Sequence, residues 1–153
     1  MDFSRFNENL TQFKKEVQEA RDKRKAFEPL PTGKYEVGLD YLQIKETKSG
    51  GSLMLNGCMT ILAGDFKNRK IFLNFGLWSG ATIQKACDFL NSLDTDVKVD
   101  FNEIESFEKF EELVKVIAYT VGSIGLEYEI EYSKAENNGR EYENYKITQV
   151  FEG

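Results

Sequence analysis

Between Pro29 and Phe75 apolar and polar residues alternate with a period of two, the repeat of a strand that buries one face. Pro29, Pro31 and Gly33 stop any preceding helix, and Tyr35, Val37, Leu39 and Tyr41 then alternate with Lys34, Glu36, Gly38 and Asp40. The polar, glycine-containing stretch from Lys45 to Gly51 predicts a turn, after which Leu53, Leu55, Met59 and Ile61 form a second strand. GDFKNR makes another connection, and Ile71, Leu73 and Phe75 share one face of a third strand. Three strands joined this closely predict an antiparallel meander.

Helical spacing flanks this block. Phe3, Phe6, Leu10, Phe13 and Val17 recur at three- and four-residue intervals, which predicts an N-terminal amphipathic helix ending in the basic cluster Arg21, Lys23, Arg24 and Lys25. Its apolar stripe fits packing within its own domain or pairing with a partner or second copy, and cations in a last helical turn answer the helix dipole. After the meander, Ser79 or Thr82 can cap a helix carrying Ile83, Ala86, Cys87, Leu90 and Leu93. Asp96 to Glu105 reads as a short strand or an extended connection. A further helix runs from Ser106 to about Val121, closed by Gly122 and Gly125. Leu126, Tyr128, Ile130 and Tyr132, and then Tyr145, Ile147, Gln149 and Phe151, predict a final hairpin with one wet, acidic face.

The order is helix, three strands, two helices, two strands. It predicts an α+β chain, mainly β, built as an OB-fold-like five-stranded antiparallel Greek-key barrel with an N-terminal amphipathic helix and two helices between strands 3 and 4. Gly38 is the expected bend in the long first strand. The rival architecture is an open antiparallel sheet with helices on one face. At 153 residues a single domain is expected, with residues 1–27 as a helical arm and 30–153 as the β domain.

Composition narrows the function classes. Without histidine, and with Cys58 and Cys87 far apart, no metal site is expected; nor does the chain carry a glycine-rich phosphate loop or a convergent carboxylate set, so the reading is non-enzymatic and cofactor-free. No apolar run reaches membrane-spanning length and the first residues do not read as a signal peptide, which predicts a cytoplasmic protein without a membrane partner. The net charge of -6 is unevenly spread: 13 Lys+Arg stand against 10 Asp+Glu through Gly76, and 7 against 16 from Leu77 onward. A basic patch in the first half can therefore act on a polyanion despite the acidic total.

The stretch PLPTGKYEVGLDYLQIKETKSGGSLMLNGCMTILAGDFKNRKIFLNFGL resembles the core of a phage-encoded group known as domain of unknown function 669. The Pro-Thr-Gly-Lys-Tyr opening, the Lys-Glu-Thr-Lys-Ser-Gly turn and the Gly-Asp-Phe-Lys-Asn-Arg-Lys-Ile-Phe hairpin carry the likeness, and NNGREYENYKI resembles the group's last hairpin more loosely. Asp96 to Val121 is longer than the resemblance leads one to expect. The resemblance implies a phage single-stranded DNA-binding protein of replication or recombination, working in the bacterial host's cytoplasm beside a recombinase or replication protein.

Single-strand binding needs cations along the phosphates and aromatic faces for the bases. If Ile71, Leu73 and Phe75 face the core, then Lys70, Phe72 and Asn74 face out. Phe66, Lys67 and Arg69 lie at the adjoining hairpin tip, Lys45 and Lys48 in the first turn, Trp78 after the third strand, and Arg140 with Tyr142 in the last hairpin. Each has a plainer use: Phe72 beneath the N-terminal helix, Trp78 as a plug of the barrel mouth, the lysines simply solvated. About four neutralised phosphates would give a salt slope near -3. The alternative function is a protein–protein adaptor using the aromatic helix, as a homo-oligomer or with another protein, or the acidic hairpin.

Overall fold

The computed structural model describes residues 2–27 and 29–152, except for the side chains of residues 24–27 and 137. Arg24 and Lys25 of the basic cluster thus lie outside the described side chains. The chain forms two compact units, Met1–Pro31 and Thr32–Gly153. In the first, the expected single helix is broken into α1 (Ser4–Asn7) and α2 (Leu10–Phe27). Phe3, Phe6, Leu10, Phe13 and Val17 are all exposed.

The second unit is a five-stranded antiparallel sheet: β1 (Gly33–Glu46), β2 (Leu53–Ile61), β3 (Lys70–Gly76), β4 (Leu126–Asn137) and β5 (Arg140–Glu152), in the order β3-β2-β1-β4-β5. The expected closure into a barrel is not observed. The sheet is open, with β3 and β5 as its edges. Helix α3 (Gly80–Ser92) touches both edge strands, and its Phe89 ring stacks on Phe75 of β3 at 5.1 Å, so a helix stands where strand pairing would have closed the sheet.

Two helices do lie between β3 and β4. Ser79 caps α3 in a reciprocal box with Thr82, which satisfies backbone N–H groups that have no partner within the helix. Helix α4 (Phe107–Ile124) starts at Ser106, whose Oγ accepts from the Lys109 N–H at 3.2 Å. It runs through Gly122 and stops at Gly125, where a φ of 78° requires the left-handed region that glycine enters without strain. Between the helices, residues 97–100 form no regular element and pair with no strand; instead the Asn91 amide exchanges two hydrogen bonds with the Val99 backbone, at 2.7 and 2.9 Å. The core joins Val37, Leu55, Met59, Ile61, Leu73, Tyr128 and Ile130 of the sheet to Leu90, Phe110, Val114 and Ile117 of the helices and to Leu93 just past α3. Tyr128 pins the end of α3 by donating to the Leu93 carbonyl at 2.8 Å. Among the described residues no helix is long and apolar enough to cross a membrane.

Candidate nucleic-acid interface

On β2 and β3, alternate residues take opposite faces of the sheet, although Asn56 and Cys58 of the outer set are themselves buried. Leu55, Met59, Ile61, Ile71 and Leu73 are buried on the core face, whereas Met54, Asn56, Cys58 and Thr60 face away beside Lys70, Phe72 and Asn74. Strand β1 changes parity midway. Its pairing jumps from Leu39↔Met59 to Tyr41↔Cys58, so Asp40 is an extra residue, a β-bulge. The bend thus falls at Asp40 rather than at Gly38, and past it Leu42 turns inward while Tyr41, Gln43 and Lys45 turn outward.

Three rows therefore cross the outer face: Tyr41–Cys58–Phe72, Gln43–Asn56–Asn74 and Lys45–Met54–Gly76. Tyr41 is 39% and Phe72 58% exposed, and they stand two strands, roughly 10 Å, apart over the small Cys58 side chain. Trp78 completes the third row. A Cβ on Gly76 would run into its indole carbons, so the ring lies directly over this glycine while remaining 58% exposed. A groove of about 530 Å³ runs over this surface, lined by Tyr41, Met54, Asn56, Phe72 and Asn74 with Lys45, Glu46 and Lys48 at its rim.

The amide row is hydrogen-bonded end to end: Gln43 Nε2 donates to Asn56 Oδ1 at 2.9 Å, and Asn56 Nδ2 donates to Asn74 Oδ1 at 2.8 Å. Lys70 is in a different state from the other cations. Its Nζ donates to Asp40 Oδ2 at 2.9 Å and to Thr60 Oγ1 at 2.6 Å, and Thr60 and Cys58 also donate to Asp40. Burial pushes the Asp40 carboxyl up, but the hydrogen bonds from Thr60, Lys70 and Cys58 and the Lys70 charge outweigh it and hold the pKa below the ordinary 3.8. The hydrogen bond to Asp40 in turn raises the Lys70 pKa. Burial raises the Cys58 thiol, with Asp40 adding to it. Among the described residues Lys45 and Lys48 have no ion-pair partner, so the free positive charge of the groove is theirs.

The other expected residues lie elsewhere. Phe66, in the β2–β3 connection, packs edge-on against Tyr35 at 6.3 Å and carries the Arg69 guanidinium 5.9 Å from its ring centre. Arg69 Nη1 is buried with no hydrogen-bond partner among the described residues, and its charge reaches Tyr35, Tyr132 and Tyr145. Lys67 is exposed in that same connection. Arg140 and Tyr142 are exposed on the part of the β4–β5 hairpin beyond the Gly33↔Tyr132 pair, whereas Lys45 and the groove belong to the opposite end of β1. The sheet therefore brings together Lys45, Lys48, Phe72 and Trp78, adds Tyr41, Gln43, Met54 and Asn56, which sequence reading missed, and leaves Phe66, Arg69, Arg140 and Tyr142 outside.

This defines an α+β protein whose open antiparallel sheet, with the β1–β2 turn, presents flat rings, amides and two unpaired lysines along one face, a surface able to hold a ligand with planar and anionic parts. The chain belongs to the family described as protein of unknown function (DUF669), which matches residues 15–151. No curated protein matches it at a significant level.

Proposed function

We propose that the outer face of β1, β2 and β3 binds single-stranded DNA without marked sequence preference. The observation that carries the reading is the gathering of Tyr41, Phe72 and Trp78, all exposed, on one face beside two free lysines. Stacking contributes about 1–3 kcal/mol per base, so three rings give about 3–9 kcal/mol, while micromolar affinity requires about 8. Phosphate contacts from Lys45 and Lys48 supply the remainder. Reading the fold as a partly open OB-type barrel is supported by the spatial order β4-β1-β2-β3, that of a Greek key, and by α3 bridging the two edges. The resemblance to a phage-encoded group supports a place in phage DNA replication or recombination, in the host cytoplasm.

Fluorescence anisotropy with a labelled oligo-dT of about 15 nucleotides tests the reading. Saturable binding at about 50 mM salt is expected, and none by tens of micromolar protein overturns it.

A second reading is favoured by one observation, the uncovered stripe of Phe3, Phe6, Leu10, Phe13 and Val17 on α1 and α2. It serves as a protein contact, either with a second copy or with a replication or recombination partner. Sedimentation of the whole protein and of a Phe6→Glu/Phe13→Glu variant tests self-association: a larger species lost in the variant supports it, and a monomer in both sinks it.

A further inference from the structure

We infer that Asn74 gives the groove a preference for keto bases, thymine and guanine, over amino bases, cytosine and adenine. The inference rests on the proposed single-strand binding and adds a modest bias, about tenfold at most, within binding that accepts every base.

An amide's oxygen and nitrogen can be exchanged by a half-turn, so orientation must come from a partner with only one role. Here it is the Leu73 backbone carbonyl, which only accepts. Asn56 Nδ2 lies 3.4 Å from it, and Asn56 is 3% exposed, so no water can compensate for the reversed amide. With Nδ2 fixed there, Asn56 Oδ1 must accept from Gln43 and Nδ2 must also donate to Asn74. The Asn74 oxygen is then committed to the row. Its Nδ2 is left with two N–H bonds on an exposed side chain, and among the described residues none accepts from it.

Phe72 and the Trp78-covered Gly76 lie two residues to either side of Asn74 on the same face of β3, each roughly 7 Å away. A base stacked on either ring extends its edge over the Asn74 amide. Thymine O4 and guanine O6 accept from an N–H donor at that edge, whereas cytosine N4 and adenine N6 are themselves donors. With its oxygen presented to Asn74, a keto base completes the row. An amino base in the same pose sets its amino group against the Asn74 donor and must turn to a ring acceptor instead.

Thymine and cytosine are compared because both are pyrimidines of similar stacking area. One neutral hydrogen bond predicts oligo-dT binding about 3- to 10-fold tighter than oligo-dC. Asn74→Ala should bring the ratio near one. Asn74→Asp keeps the acceptor for Asn56 and replaces the exposed NH2 with oxygen. It weakens both oligonucleotides by charge, but should turn the ratio in favour of dC. Asn74 is exposed on an edge strand, so both variants should keep the parent's circular dichroism. A parent ratio of one, or a dT preference unchanged in both variants, overturns the inference while leaving single-strand binding intact. Failure of the parent to bind either oligonucleotide overturns both.

Discussion

Replacing Phe72 with alanine separates binding from folding. The ring is 58% exposed, so less than half of its burial is at stake, roughly 0.6–1.3 kcal/mol on a scale of 1.5–3 for a fully buried side chain. For a chain of this size that lowers Tm by about 1–5 °C and leaves the protein folded. If Phe72 stacks a base, the same change removes about 1–3 kcal/mol of binding, a loss of about 5- to 150-fold in affinity for oligo-dT. Tyr119 is the matched control: at 76% it is the more exposed ring, but it lies on α4 outside the groove, and Tyr119→Ala should leave affinity within twofold. Anisotropy titrations of the three proteins, with melting curves alongside, check the prediction. A Phe72→Ala protein that melts as expected and binds within twofold of the parent refutes the stacking role.

The remaining predictions follow from charge. With Lys45 and Lys48 as the free cations of the groove, the plot of log affinity against log salt should have a slope near -1.4, or about -2 if Lys67 contributes; a slope of zero removes phosphate contact from the account. Asp40→Asn frees Lys70 from its ion pair, so the slope should steepen by about 0.7 and affinity at low salt should rise; an unchanged slope would show that Lys70 does not reach the phosphates. At high pH the tyrosines govern stability. Burial, then the hydrogen bond to Glu143 and its charge, raise Tyr132 from an ordinary 10 to about 12, and burial leads the rise of Tyr128 and Tyr145 as well. Folding thus favours the neutral phenol. Its stabilisation is complete below pH 10 and lost as pH rises toward 12, which urea midpoints across that range should show and Tyr132→Phe should lessen.

Alternation located all five strands, and helical spacing located α3 and α4, because β1 to β4 and both helices each bury one face against the same core, while β5 half-buries Tyr145, Ile147 and Val150 beside β4. What parity could not convey were the extra residues that reverse it, one on β1 and one on β5. The second shift pairs Val150 with buried Tyr128 and puts the expected Gln149 and Phe151 on the face opposite Tyr145 and Ile147. Tyr41 was expected on the Val37 side, and the bulge at Asp40 carries it to the other. A signal was present: apolar residues fall on odd positions through Leu39 and on even ones at Leu42 and Ile44, a break that only an extra residue repairs. The outward turn of Lys70, Phe72 and Asn74 was legible from their buried neighbours. The neutralisation of Lys70 was not, since Asp40 lies 30 residues away and meets it only through the β1–β2–β3 register. Nor was the open sheet, because whether two edge strands pair depends on what packs between them, and local periodicity carries no trace of α3 bridging β3 and β5.

Trp78 is the only tryptophan and its exposed ring lies on the proposed stacking surface, so its emission reports directly on the central claim. Titrating the unlabelled protein with oligo-dT should quench that emission along the same isotherm as anisotropy, as bases cover the ring. Unchanged emission through saturation would mean that DNA binds away from this face, contradicting the account.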